Sequence, residues 1–72
     1  MTEEEQIAKN IKEAIRTSGM SVIQVADELK VHNTQIYAYM KAKYLPGAVM
    51  IKRLCAVLGC EYEEILGHRR DK

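Results

Sequence analysis

The 72-residue sequence predicts an all-α fold. Apolar residues recur three or four positions apart, which is the period of amphipathic helices. Two pairs of residues also fit capping boxes, in which the side chains of two residues three positions apart each bond the other's backbone N–H at the start of a helix. These pairs are Thr2 with Glu5 and Ser21 with Gln24. A chain of this length forms one domain.

Helix 1 is predicted to begin near Glu3, within an acidic segment at residues 1–6. Its buried face consists of Ile7, Ile11 and Ile15, with Ala8 and Ala14 beside them. Gly19 follows the last periodic residue. Because glycine readily adopts the left-handed conformation that often ends a helix, it is a good stop.

The stretch from Ser21 to Lys43 predicts two short helices joined by a tight turn. Its apolar positions are Val25, Leu29, Val31, Ile36 and Tyr39. The first two lie four apart on one face of helix 2, and the last two restart a helical face after the turn. Ala26 is small, as a steep crossing by a second helix requires. This spacing is typical of a helix-turn-helix, which lays its second helix in the major groove of DNA.

Residues 7–67 resemble the lambda-repressor-like (Cro/CI, or XRE) helix-turn-helix family, aligned without gaps. Lys43 and Pro46 match the basic residue and the proline that follow the motif in that family. The resemblance implies a compact five-helix DNA-binding domain, with the helix-turn-helix at helices 2 and 3. It also implies helix 4 from Ala48 to Leu58 and helix 5 from Glu61 to Leu66.

The residues after the motif complete the predicted domain. Helix 4 should pack Ile51, Leu54, Cys55 and Leu58 inward, and helix 5 should pack Tyr62, Ile65 and Leu66. Gly59 and Gly67 are suited to end these two helices. Residues 68–72 are predicted to be a basic C-terminal tail.

The charges are unevenly distributed, although the net charge is only +1. Residues 1–28 contain three basic and six acidic side chains, and residues 61–72 contain three and four. Residues 29–60 contain five basic side chains and no acidic one. The positive charge therefore lies on the second half of the motif and the segment after it, where a duplex would sit. An ordinary solvated basic face remains the alternative.

The candidate DNA contacts follow from the resemblance. Asn33, Thr34, Tyr37 and Ala38 share the outer face of helix 3 with Lys41, by their spacing. The matching family positions face base edges or nearby phosphates, so the four are predicted base contacts. The predicted phosphate contacts are Ser21, Lys41, Lys43 and Tyr44. An ordinary polar helix surface is the alternative reading of these residues.

The chain departs from the family at several positions. Val22 stands where the family often has a phosphate-binding glutamine, Lys30 stands where the turn usually has a left-handed glycine, and Ala42 stands where helix 3 often ends in glycine. Either His32 or Asn33 could be the N-cap of helix 3. By residue type asparagine is preferred, whereas the family caps one position earlier.

Other kinds of site find little support in the sequence. No catalytic group, phosphate loop, cofactor site or small-molecule site can be recognised, which argues against an enzyme. Cys55 and Cys60 fit no common metal or redox pattern, although a pairing between them, or metal ligation with His68, stays open. There is no apolar run long enough to span a membrane and no apolar signal core.

The sequence therefore predicts a cytoplasmic transcriptional regulator of bacterial or phage type. It is expected to be a repressor that binds a palindromic operator in double-stranded DNA as a homodimer. Cys60, Tyr62 and Leu66 are the predicted dimer contacts. The alternative is a protein–protein interaction module that has kept the fold and lost DNA binding; Val22 and Lys30 favour it.

Overall fold

A computed structural model describes residues 2–67, and five helices form this part of the chain. They are α1 Glu3–Ser18, α2 Val22–Leu29, α3 Asn33–Met40, α4 Ala48–Leu58 and α5 Tyr62–Leu66. The predicted all-α fold is confirmed. The predicted basic tail at 68–72, which includes His68, lies outside the described residues. Among the helices described, none has both the length and the apolar character needed to cross a membrane.

Helix α1 begins where its capping box predicts. The Thr2 hydroxyl accepts the N–H of Glu5 at 3.1 Å, and Glu5 Oε1 accepts the N–H of Thr2 at 3.0 Å. The helix ends at Gly19, whose φ of 80° is left-handed. Both ends follow from local chemistry, since each satisfies backbone groups that a helix terminus leaves without partners.

One apolar core joins all five helices. Its least exposed large side chains are Ile11, Val25, Leu29, Ile36, Leu54 and Ile65. Helix α1 packs against α3, α4 and α5, while α2 packs against α3 and α4. Asn10 of α1 also donates from Nδ2 to the carbonyl oxygen of Ile65 at 2.9 Å. The two helices of the motif are therefore held from behind by α1 and α4.

Helix α5 differs from its prediction. Glu61 is its N-cap, and the helix begins at Tyr62. Ile65 is fully buried, but Tyr62 and Leu66 are 49% and 44% exposed, so the expectation that these two pack inward is wrong. A helix of five residues completes little more than one turn, and this one turns a single large side chain into the core.

Candidate nucleic-acid interface

The start of α2 is built by its predicted capping box. The Ser21 hydroxyl accepts the N–H of Gln24 at 3.1 Å, and Gln24 Oε1 accepts the N–H of Ser21 at 2.8 Å. The N–H of Val25 bonds the Ser21 carbonyl oxygen. The N–H groups of Val22 and Ile23 have no carbonyl one turn earlier to bond, so they remain available to an outside acceptor. The aligned peptide dipoles of α2 make this end electropositive.

The turn between α2 and α3 is closed by backbone bonds and by one side chain of α4. Lys30 is left-handed, with φ 61° and ψ 41°, as the family resemblance predicts for this position. The N–H of Val31 bonds the carbonyl oxygen of Ala26 at 3.0 Å. From α4, Arg53 Nη2 donates to the carbonyl oxygen of Leu29 at 2.6 Å. The end of α2 is thus held both by the backbone of the turn and by α4.

His32, and not Asn33, caps α3. His32 Nδ1 accepts the N–H of Thr34 at 3.4 Å and lies 3.0 Å from the Thr34 hydroxyl. Asn33 is the first residue of the helix and is partly buried. The register is therefore that of the family, and the Asn33 amide is not used for capping.

The exposed strip of α3 is narrow because the helix packs against both α1 and α2. Thr34, Tyr37 and Lys41 form this strip, with Tyr37 44% exposed. Ala38 is only 8% exposed, so its predicted place on the outer face is wrong. It lies at the edge of the strip, next to the buried Tyr39, and its carbonyl oxygen accepts the N–H of Lys43 where the chain folds back.

The loop after α3 presents two predicted phosphate contacts. Ala42 is left-handed with φ 60°, which turns the chain away from the helix. Tyr44 is 54% exposed, and its ring packs edge-on against the ring of Tyr39, with centroids 5.7 Å apart. Gln35 Nε2 in turn donates to the Tyr39 hydroxyl at 2.7 Å. Tyr44 and the exposed Lys43 therefore follow α3 on an anchored loop.

A family model described as Helix-turn-helix matches residues 11–65. This match runs from within α1 into α5, so it includes the motif and every helix that packs on it. The chain belongs to the Cro/CI-type (XRE) helix-turn-helix family. It is accordingly a DNA-binding transcription regulator of XRE type. Neither the search of curated proteins nor the search of solved structures returned a match.

The basic side chains of this XRE-type domain differ in what they can offer to DNA. Lys30, Lys41 and Lys43 are exposed on the motif and its following loop. Arg53 contributed to the predicted positive region, yet its guanidinium is bonded to the Leu29 carbonyl oxygen. Sequence reasoning did not find this role. The two residues are 24 positions apart, and no local pattern relates them.

The two cysteines lie where α4 turns into α5. The N–H of Cys60 bonds the carbonyl oxygen of Cys55 at 3.1 Å. Burial, together with the neighbouring Cys55 and Glu64, raises the pKa of the Cys60 thiol to about 11. A thiol with such a pKa stays protonated near neutral pH and is a poor nucleophile. Within residues 2–67 no group of three or more histidine, cysteine or acidic side chains is arranged to hold a metal ion.

Proposed function

We propose that this regulator binds an operator as a homodimer and represses by occupying it, with α3 of each protomer in the major groove. The observation that supports this most directly is the exposed strip of Thr34, Tyr37 and Lys41 on α3. Side chains on one exposed helix face can reach successive base edges when that helix enters the groove. Such a regulator would act in the cytoplasm of a bacterium or on a phage genome.

Asn33, Thr34 and Tyr37 are the proposed base contacts. Asparagine can make two hydrogen bonds to the major-groove edge of adenine, and the threonine methyl can contact the thymine methyl. The availability of the Asn33 amide supports its inclusion, since His32 caps the helix. Ala38 is left out because so little of it is exposed.

Ser21, Lys41, Lys43 and Tyr44 are the proposed phosphate contacts. The N–H groups of the first residues of α2 add donors beside Ser21, at a helix end whose dipole favours anions. The Val22 side chain is partly buried against the core and offers no donor. Phosphate binding at this end therefore depends on backbone groups and on Ser21, whose hydroxyl already accepts the N–H of Gln24.

Salt-dependent binding to a random-sequence duplex tests the proposal. The logarithm of the binding constant should fall linearly with the logarithm of salt concentration, because phosphate contacts release counterions. Lys43→Ala should weaken binding to all sequences alike and make the slope shallower by about 0.9 per protomer. Lys52→Ala, an exposed change on α4, serves as the control. No binding at low salt would overturn the proposal.

The proposed dimer pairs the α4–α5 turns of two protomers. Tyr62 and Leu66 are large apolar side chains left half exposed there, and the partly buried Cys60 precedes them in the chain. A small core also makes association favourable for a chain of this size. Pairing at this end would place two copies of α3 about 34 Å apart, one turn of B-DNA.

The second candidate is a protein–protein interaction module of the same fold. The loss of a side-chain phosphate donor at Val22 favours it. It predicts that the parent and Lys43→Ala proteins behave alike on duplex DNA at every salt concentration. Selection of bound oligonucleotides from a random pool would then return no enriched sequence.

A further inference from the structure

Helix α1 and the end of α3 enclose a shallow cleft of about 310 Å³. Its lining residues are Glu5, Ala8, Lys9, Lys12, Met40, Lys41 and Ala42. Ala8, Met40 and Ala42 contribute apolar surface to it, and four charged side chains surround them. We call this feature the α1–α3 cleft.

The α1–α3 cleft carries a net positive charge made by the fold. Lys9 and Lys12 come from the part of the chain in which acidic residues outnumber basic ones, yet both lie beside Lys41. All three lysines are exposed, and within residues 2–67 none of them is in a salt bridge. The single carboxylate, Glu5, accepts the N–H of Thr2 in the cap of α1.

We propose that the α1–α3 cleft binds a phosphate of the DNA backbone, beyond the contacts made by α2 and the loop after α3. This rests on the proposed DNA binding. Two observations favour a nucleic-acid phosphate over another occupant. Three lysines against one carboxylate match an anion. The cleft is also continuous with the proposed interface, because Lys41 belongs both to the cleft and to the exposed strip of α3.

The lysine side chains are suited to this contact. Lys9 and Lys12 are three residues apart on α1, which places them side by side on one helix face. Each ends in a compact charge on a flexible four-carbon chain, so each can follow a phosphate without a fixed geometry. A contact of this kind adds affinity and register, and it carries no base preference.

The competing explanation is that the lysines only cover the apolar surface of Met40 and Ala42 with their carbon chains. The two explanations differ in salt dependence. Covering surface releases no counterion when DNA binds, whereas a phosphate contact does.

The test compares single variants on one random-sequence duplex over a range of salt concentrations. Lys9→Gln and Lys12→Gln should each make the slope shallower by about 0.9 per protomer and weaken all sequences equally. Lys52→Gln makes the same charge change at an exposed residue of α4 outside the cleft, and should change the slope less than Lys9→Gln or Lys12→Gln does. Lys43→Gln reports separately on the proposed function.

Glu5→Gln provides a change of opposite sign. Glutamine also closes a capping box, so α1 should keep its start while the cleft loses its one negative charge. Binding should tighten on every sequence.

The outcomes separate the two proposals. If Lys43→Gln makes the slope shallower while Lys9→Gln, Lys12→Gln and Glu5→Gln behave like the parent, the cleft proposal is overturned and the proposed function stands. A parent protein that binds no duplex at low salt overturns both. Unfolding curves that match the parent's for all five variants would exclude a folding defect as the cause.

Discussion

Arg53 Nη2 donates a hydrogen bond to the carbonyl oxygen of Leu29 over 2.6 Å. Leu29 is the last residue of α2, and its carbonyl group has no acceptor role left within the helix. A cation at this end also complements the helix dipole. The bond joins α4 to the end of α2, so a residue outside the motif helps to hold the first helix of the motif where the turn begins.

Replacing Arg53 with methionine should lower the free energy of unfolding by about 1–2 kcal/mol, because a partly buried carbonyl loses a charged donor. Urea denaturation measures this, provided the m-value is unchanged. Lys52→Met is the control, because Lys52 is the exposed neighbour of Arg53 and makes no such bond. Equal stability of the two variants would show that water replaces the guanidinium at no cost.

Ala42→Gly should stabilise the protein. Ala42 has φ 60°, a conformation that costs an L-residue about 1–2 kcal/mol, whereas glycine adopts it freely. Part of the gain is lost to the greater freedom of glycine in the unfolded chain, which leaves about 0.5–1 kcal/mol. Ala56→Gly, at an exposed position in the last turn of α4, should instead lower stability, by up to about 1 kcal/mol. The melting temperatures of the two variants should therefore shift in opposite directions from that of the parent.

Asn33→Ala should change base preference without changing stability. The loss on the cognate site should be about 1–3 kcal/mol, with relaxed preference at one base pair. Because His32 caps α3, thermal stability should stay at the parental value. His32→Ala should lower stability by about 0.5 kcal/mol, the low end of the range for N-caps, because its bond to the N–H of Thr34 is long. Reduced stability in Asn33→Ala with parental base preference would contradict the assignment.

Leu66→Glu should shift the protein from dimer to monomer, because a charge would be buried in the proposed contact. Sedimentation equilibrium at high micromolar concentration gives the mass. Val49→Glu, at a side chain that is 73% exposed on α4, should leave the dimer intact. A parent protein that is monomeric under these conditions would rule out the proposed interface.

Cys60 should react slowly with iodoacetamide near neutral pH. Burial raises its pKa to about 11, so the reactive thiolate should appear only as the pH approaches that value. The folded state then holds this proton more tightly than the unfolded state. Its contribution to stability is present below the ordinary thiol pKa and is lost as the pH rises through about 11. Peptide mass spectrometry of the alkylated protein follows Cys60 separately from Cys55. An alkylation midpoint near pH 8.5 would contradict the burial argument.

Much of the fold could be predicted because its signals are local. The capping boxes at Thr2 and Ser21 predicted where α1 and α2 begin, and each depends on a side chain three residues from its partner. The left-handed turn at Lys30 followed from the resemblance to the family, because glycine usually occupies that position. The apolar period likewise predicted which face of α4 is buried.

The wrong predictions concern residues whose burial depends on how the helices pack. Ala38 has the spacing of an outer-face residue, but α1 and α2 both cover α3 and leave a strip too narrow to include it. Tyr62 and Leu66 have core-like spacing, but so short a helix buries only Ile65. Burial of this kind depends on neighbours distant in sequence, and periodicity within one helix does not report them.

The sequence by itself determined the helical class, the motif and its family, because caps, turns and apolar periods act within a few residues. Only the tertiary structure decided that His32 caps α3, that Arg53 bonds the Leu29 carbonyl oxygen, and that Lys9 and Lys12 stand beside Lys41. The last two bring together residues that are far apart in the chain. The cap was a choice between two adjacent residues with opposing local preferences, and the packing of α3 selected the register.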